Sequence, residues 1–199
     1  MKKINFDDGF AFGKGFFETI KVINKKPIML NSHLNRLNNS LKTFDINKTI
    51  TTKEIELFTN TQDKSDYVLK IIVSDDNTIF NIKEDNYLNI DRSKGIKLKL
   101  GTLIRNSTSH TIYHKSCCYY DNIIENKKAK LEGFDEVIFL NEKKEIAEGS
   151  VSNIFFVKGN QIITPKISCG ILNGTMRDFI IKNFEVNQDI IKLKDLQNF

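Results

Sequence analysis

Two side chains in the middle of the chain could carry covalent and acid–base chemistry. Lys115 stands between an extended segment and a predicted helix, and Glu148 ends a short predicted strand in the segment EIAEGSVSN. A lysine amine becomes a nucleophile only where its surroundings hold its pKa well below the ordinary value of about 10.4. Taken singly, each residue is more simply explained as a surface charge.

Groups that could hold an anion flank this pair in the sequence. Arg36 shares one face of a predicted helix with His33 and Ser40, and a guanidinium fork can bind phosphate. The segment GILNGT (170–175) places glycines before a helix, where backbone N–H groups can hold an anion. The glycines of DDGFAFGKG lack the spacing of a dinucleotide-binding loop, and we interpret them as a tight turn.

Strands are predicted at three places in the first half of the chain. Residues 17–28 form two short strands with a turn at 24–26, and residues 67–73 and 97–104 have the composition of further strands.

Two helices lie between these strands. Apolar residues recur at steps of three and four over residues 30–44, which predicts a helix capped by Asn31 or Ser32. Thr51 and Glu54 have the spacing of a capping box for a second, shorter helix. The predicted order in the first half is therefore β-β-α-α-β-β.

The second half is predicted to begin with a helix directly after Lys115, over residues 116–131, that stops at Gly133. Residues 137–140, 152–157 and 161–164 then predict an antiparallel meander, and a last helix is predicted from about Gly174 to Asn183. The whole chain is therefore predicted to be α+β.

Composition excludes several classes of protein. The 199 residues are 40% hydrophobic with 15 Phe, which indicates a folded protein with a core and not a disordered one. The net charge of +5 comes from interspersed charges of both signs, so we expect no nucleic-acid partner. No apolar run could span a bilayer, and three cysteines without a C-x-x-C pair predict neither a disulfide framework nor a metal site. We therefore expect a cytoplasmic protein without a membrane partner.

Five segments, taken together and in order, resemble the class IV aminotransferase family, the fold type IV enzymes that use pyridoxal 5′-phosphate (PLP). They are GFAFGKGFFETI, HLNRLNNSL, HKSCCYYDNIIENKKAKLEGFDEVIFLN, EIAEGSVSNIFF and ITPKISCGILNGTMRDFII. These segments cover most of residues 9–182, so the combination is far more specific than any one of them.

The resemblance implies a role for each matching residue. Lys115 corresponds to the lysine that bonds to PLP and acts in catalysis, and Glu148 to the carboxylate that keeps the pyridine nitrogen protonated. Tyr120 corresponds to the tyrosine that contacts the phenolic oxygen of PLP, and Arg36 to the phosphate-binding arginine. The other implied cofactor contacts are Asn153 near the ring, and Gly174, Thr175 and Met176 in the turn whose amides bind the phosphate.

The resemblance also implies an architecture. We expect a two-lobed α+β fold of the D-amino-acid aminotransferase type, with a small lobe over residues 1–104, a larger lobe over residues 105–199, and a homodimer. Family members continue beyond DLQNF through a strand and a second phosphate-binding turn. We therefore expect the C-terminal lobe to be incomplete and PLP to be held weakly.

Several activities within the family stay open. The strand YVLKIIV lacks the Tyr-Ile-Arg-Pro signature of branched-chain aminotransferases, and no Arg-x-His pair of D-amino-acid aminotransferases appears. IRNSTSHTIYHKS and DDGFAFGKGFFETI instead resemble segments of 4-amino-4-deoxychorismate lyases, which release 4-aminobenzoate for folate biosynthesis. We expect such a lyase; the alternatives are a branched-chain or D-amino-acid aminotransferase, or a weakly active PLP-binding homologue.

Substrate contacts are less sharply defined by the resemblance. Arg105, and less surely Ser109, are candidates for binding a substrate carboxylate. A charge on the rim of the site explains Arg105 equally well.

Overall fold

The computed structural model describes residues 3–85 and 92–199. The chain forms two compact units, one of Met1–Ile90 with His114–Cys118 and one of Asp91–Tyr113 with Tyr119–Phe199. Lys115 therefore belongs to the first unit and Glu148 to the second. The lobe boundary after residue 104 stays a prediction.

The first unit is built on an antiparallel sheet with the strand order β2-β1-β3-β4. Its strands are β1 (Gly15–Ile23), β2 (Lys26–Pro27), β3 (Tyr67–Ser74) and β4 (Thr78–Lys83). The predicted hairpin is confirmed, because Asn24 and Lys25 both have positive φ, as a two-residue hairpin turn of type I′ requires. Strand β4 is not predicted from the sequence, because its side chains are half-buried or exposed and form only a weak apolar pattern.

A short helix, α1 (Asp8–Phe12), precedes this sheet and ends at Gly13, whose φ of 76° is left-handed. The segment DDGFAFGKG is thus a short helix followed by a tight reversal of the chain, in agreement with its interpretation as a turn.

Two longer helices, α2 (Leu30–Thr43) and α3 (Thr52–Asn60), complete the first unit. The predicted capping box of α3 is confirmed, since the Thr51 hydroxyl accepts from Glu54 N–H and the Glu54 carboxylate accepts from Thr51 N–H. The predicted cap of α2 is wrong: Met29 is its N-cap, and Asn31 and Ser32 lie inside the first turn. The chain turns into the helix at Met29, directly after β2, so the helix begins earlier than the polar residues indicate.

One hydrophobic core joins these helices to the sheet. It includes Ile20 and Val22 of β1, Leu69 and Ile71 of β3, Leu34, Leu37 and Leu41 of α2, and Ile55 of α3. Burying each of these side chains fully contributes about 1.5–3 kcal/mol.

The second unit contains two three-stranded sheets. One consists of β5 (Leu98–Arg105), β6 (Glu136–Asn141) and β7 (Ile146–Gly149), with β5 and β6 parallel and β6 and β7 antiparallel. The other consists of β8 (Phe156–Lys158), β9 (Gln161–Pro165) and β10 (Val186–Asp189), with β10 parallel to β9.

The predicted single meander is therefore wrong. After β7 the chain leaves the sheet because Ser150 turns onto the side chain of Glu136: the Ser150 amide and hydroxyl both donate to Glu136 Oε1. Of the predicted strand 152–157, only its last two residues belong to β8. The two hairpins consequently lie in different sheets.

Two helices belong to the second unit, α4 (Tyr120–Leu131) and α5 (Thr175–Asn183). The prediction that a helix follows Lys115 directly is wrong, because residues 115–117 lie along β1 and α4 begins only at Tyr120. Gly133, with φ 83°, lies just beyond the end of α4 as predicted, and α5 agrees with the prediction. In the described part of the chain, no helix has both the length and the apolar character needed to cross a membrane.

Candidate active site

Lys115 lies on the edge of the first unit's sheet. Its carbonyl accepts a hydrogen bond of 2.9 Å from Phe17 N–H, and the next residue, Ser116, forms an antiparallel bridge with Phe16. The Lys115 ammonium nitrogen lies 4.7 Å from the centre of the Phe17 ring. The backbone pairing thus fixes the base of the lysine, while the side chain extends over an aromatic face.

Arg36 projects from α2 onto a buried carboxylate. Its Nε and Nη2 atoms donate to the two carboxylate oxygens of Glu18, each at 2.7 Å, and His33 Nδ1 lies 2.7 Å from Glu18 Oε2. Ser40, the third residue of the predicted face, hydrogen-bonds instead with His114 Nδ1 at 2.9 Å. The structure thus brings Arg36 and His33 together on Glu18, which the sequence analysis did not single out.

Glu18 is fully buried, and two opposing effects act on the pKa of its carboxyl group. Burial raises the pKa of a carboxyl group, but the hydrogen bonds from His33 and Arg36 and the positive charge of Arg36 outweigh it, so the pKa lies below its ordinary value. The carboxylate is therefore ionised and fixes one edge of the guanidinium through two hydrogen bonds. Binding of phosphate by Arg36 stays a prediction.

We expect Glu18→Gln to lower the free energy of unfolding by about 3–5 kcal/mol, because it leaves the half-buried Arg36 charge without its anion. A carboxyl group with a depressed pKa stabilises the fold above its unfolded pKa, and that contribution is lost as pH falls through its folded pKa. Urea unfolding of both proteins from pH 7 down to pH 3 measures this. If wild type and Glu18→Gln differ by the same amount at every pH, the ionised pair is not the source of stability.

Glu148 occupies the end of β7 and is only 7% exposed. Its Oε2 atom accepts from Leu172 N–H at 3.0 Å and lies 3.3 Å from the Asn153 amide nitrogen, while its Oε1 atom lies 3.6 Å from Arg105 Nη2. Backbone and side-chain donors thus hold the carboxylate in one orientation inside the second unit. Asn153 also donates to Leu172 O at 2.9 Å, which ties the chain before α5 to this carboxylate.

Arg105 is held inside the second unit. Its Nη1 atom donates to Asn122 Oδ1 at 2.8 Å, and its guanidinium lies over the Phe139 ring at 4.1 Å. Its buried Nε atom has no hydrogen-bond partner among residues 3–85 and 92–199. These contacts favour a role in orienting Glu148, and binding of a substrate carboxylate by Arg105 stays a prediction. The same holds for Ser109, which is half-buried with its hydroxyl 3.3 Å from that of Thr111.

The adjacent residues Tyr119 and Tyr120 differ in how far they are exposed to solvent. Tyr120, the residue singled out from the sequence, is 69% exposed, and its contact with PLP stays a prediction. Tyr119 donates its hydroxyl to the carbonyl of Ser150, and burial raises the pKa of Tyr119 to about 12, aided by the negative charge of Glu148. No signal in the sequence distinguishes these two consecutive tyrosines at the start of α4.

The start of α5 is shaped by Gly174, the N-cap residue. A Cβ atom at this position would lie 2.1 Å from Asn153 Oδ1, so only glycine allows Asn153 to occupy its place beside Glu148. Thr175 and Met176 follow as the first residues of the helix, and their amides belong to the helix terminus that attracts anions. The structure therefore brings Asn153, Glu148 and Gly174 together, and their contact with a cofactor stays a prediction.

We expect Gly174→Ala to cost about 1–3 kcal/mol in the free energy of unfolding, since the added methyl group displaces Asn153. The backbone at Gly174, with φ −62°, would accept alanine without strain, so the clash alone is responsible. Urea unfolding of Gly174→Ala, Asn153→Ala and the double variant measures the coupling. In the double variant the clash is gone, so additive effects of the two substitutions would show that this account of Gly174 is wrong.

The sequence matches a known protein family and several of its members. The family model described as amino-transferase class IV matches residues 15–199. The chain is 30% identical over 196 residues to aminodeoxychorismate lyase of Bacillus subtilis, a match that covers 89% of this chain and 67% of that protein. It is 27% identical over 224 residues to branched-chain-amino-acid aminotransferase-like protein 2 of Arabidopsis thaliana, covering 98% of this chain and 40% of that protein.

Solved structures show the same fold. The crystal structure of 4-amino-4-deoxychorismate lyase from Pseudomonas aeruginosa matches with a TM-score of 0.86 and 19% sequence identity. The match covers 98% of this chain and 80% of that one. At this identity the likeness describes the path of the backbone and leaves the reaction to be argued from the residues.

Proposed function

The chain belongs to the class IV aminotransferase family, and we propose that it is a lyase that converts 4-amino-4-deoxychorismate to 4-aminobenzoate and pyruvate. Enzymes of this family use PLP, and the predicted α+β fold of fold type IV is confirmed. Binding of PLP by this chain is part of the proposal. The observation that carries it is the buried carboxylate of Glu148, which hydrogen bonds fix in one orientation.

The residues of each unit fit PLP. In the second unit, Glu148 offers a fixed carboxylate for the pyridine nitrogen, and the amides of Thr175 and Met176 offer donors for the phosphate. In the first unit, Arg36 offers positive charge and Lys115 an amine. When bound, PLP supplies a ring that accepts the electrons released at the carbon bearing the substrate amine.

Proton transfer is assigned to Lys115. It takes the proton from the amine-bearing carbon of the substrate, the bond from the ring to the ether oxygen breaks, and Lys115 returns a proton to the departing enolpyruvate, which becomes pyruvate. The remaining ring is 4-aminobenzoate, whose aromaticity drives the step. Glu148 would keep the cofactor nitrogen protonated, and Arg105 helps to orient Glu148. We retain Tyr120, Asn153, Arg105 and Ser109 as proposed cofactor or substrate contacts, and a homodimer as the proposed assembly.

A second candidate function is transamination of branched-chain amino acids. The observation that favours it is the similarity to branched-chain-amino-acid aminotransferase-like protein 2, which extends over 98% of this chain. We rank it second because the sequence lacks the signature of those enzymes in β3.

Product analysis separates the two functions. The purified chain, supplied with PLP, is incubated either with 4-amino-4-deoxychorismate or with leucine and 2-oxoglutarate, and the products are separated by chromatography. We expect 4-aminobenzoate and pyruvate in equal amounts from the first mixture and no glutamate from the second. Glutamate without 4-aminobenzoate would establish transamination instead. Lys115→Ala is the matched control for background reaction in both mixtures.

A further inference from the structure

His114, the residue before Lys115, packs into the core of the first unit. Its ring centre lies 5.0 Å from that of Phe44, edge to face, and 5.9 Å from that of Phe16. Phe16 and Phe17 are neighbours in β1, so their side chains lie on opposite faces of the sheet. Because Lys115 lies over Phe17, the side chains of His114 and Lys115 project to opposite sides of β1.

A hydrogen bond joins His114 to helix α2. Its Nδ1 atom lies 2.9 Å from Ser40 Oγ, and the Ser40 hydroxyl donates to Arg36 O at 2.9 Å. A hydroxyl carries a single proton, so Ser40 accepts from His114, whose imidazole proton is therefore on Nδ1. Burial lowers the pKa of His114, which favours this neutral form.

These contacts connect two residues that the proposed function assigns to opposite ends of PLP. Ser40 lies four positions after Arg36 and therefore on the same face of α2. His114 is covalently joined to Lys115, so the connection runs from the helix that carries the guanidinium to the segment that carries the amine. A ligand held at two points gains affinity from the second contact only if the two protein groups have the separation that the ligand requires.

We propose that His114 is a positioning residue, which acts through Ser40 to set the separation of Arg36 and Lys115, so that a single PLP molecule engages both. The inference rests on the proposed function and deepens it, since it names what fixes these two residues of the first unit relative to each other. His114 takes no part in proton transfer. Its contribution is the hydrogen bond to α2, anchored by the packing of its ring.

Three probes separate the two ends of the cofactor: PLP itself, pyridoxal, which has the aldehyde without the phosphate, and pyridoxine 5′-phosphate, which has the phosphate without the aldehyde. Titration calorimetry with the full chain compares wild type, His114→Phe, which keeps a ring and removes the donor, and Ser40→Ala. Thr43→Ala is the matched control, because the exposed Thr43 hydroxyl donates to Asn39 O at 2.8 Å within the same helix, as Ser40 does to Arg36 O.

We expect His114→Phe and Ser40→Ala each to weaken PLP binding by about ten-fold, and Thr43→Ala to leave it within about two-fold. The double variant of His114 and Ser40 should bind PLP about as well as either single variant, because all three lose the same contact. Pyridoxal and pyridoxine 5′-phosphate should each bind wild type and variants within about two-fold of one another, since each probe engages only one of the two groups.

Equal PLP affinities of His114→Phe, Ser40→Ala and Thr43→Ala would overturn the inference and leave the proposed lyase activity in place. A loss of affinity for all three probes alike would also overturn it, because a damaged fold and not a changed separation would then be the cause. Failure of the wild-type chain to bind PLP would overturn the inference together with the proposed function. PLP binding that depends on His114 and Ser40 in a chain that forms no 4-aminobenzoate would support the inference and reject the lyase activity.

Discussion

Lys115→Ala is expected to lower kcat for release of 4-aminobenzoate by at least about a thousandfold. A positioned acid–base group contributes about 10²- to 10⁴-fold to a rate, and we propose that the same residue also forms the covalent link to the cofactor. The fold should survive, because the contact that holds this segment against β1 is made by the Lys115 carbonyl and not by its side chain. The substitution removes the contact of the ammonium with the Phe17 ring, which is worth about 0.5–1 kcal/mol at a site of this kind.

The measurement is a single-turnover assay of 4-aminobenzoate with purified protein. Lys53→Ala, which removes an exposed lysine from α3 of the same unit, is the matched control and should keep its full rate. A Lys115→Ala protein that retains a tenth or more of the wild-type rate would show that another residue moves the proton.

Glu148→Gln is the second large effect we expect, a loss of about a hundredfold or more in kcat with PLP still bound. A neutral amide cannot hold the pyridine nitrogen protonated, and electrostatic groups of this kind contribute about 10²- to 10³-fold. Glutamine can still accept from Leu172 N–H, but its amide group adds donors where Arg105 and Asn153 already present theirs. Some loss of stability should therefore accompany the loss of rate.

Three measurements separate these effects: visible absorbance for bound PLP, urea unfolding for stability, and product formation for rate. Glu185→Gln, an exposed carboxylate between α5 and β10, is the matched control. Near-normal turnover of Glu148→Gln would show that this carboxylate does not face the cofactor nitrogen. Loss of bound PLP together with turnover would assign Glu148 a role in holding the cofactor and not in activating it.

The strongly periodic elements of this chain could be predicted from sequence. The leucine stripe of α2 and the capping box of α3 each depend on residues a few positions apart, so the sequence contains the whole signal. The residues at which helices begin and end were harder to predict from the sequence. The first turn of α2 begins at Met29, and residues 115–117 pair with β1 instead of starting α4, because in both cases contacts between distant segments override the local preference.

The candidate site shows the same division. The resemblance singled out Glu148, Asn153 and Gly174. The structure brings these three together, because only a glycine at position 174 leaves room for the Asn153 side chain beside Glu148. It did not reveal that Glu18 holds Arg36, since a carboxylate in a buried strand looks like any other until its partner on α2 is known. The sequence also does not reveal that the Lys70 ammonium of β3 lies 4.5 Å from the centre of the Phe17 ring, because this contact arises from strand pairing across more than forty positions.

The two lysines on the Phe17 ring also provide the most direct test of the central claim, that Lys115 bonds to PLP. The chain is loaded with PLP, reduced with borohydride, digested and mapped by mass spectrometry, with unreduced protein as the control. We predict a pyridoxyl group on Lys115, in the peptide that contains Ser116 and Cys117, and none on Lys70. A pyridoxyl group on Lys70, or on lysines throughout the surface without preference for Lys115, would contradict the claim.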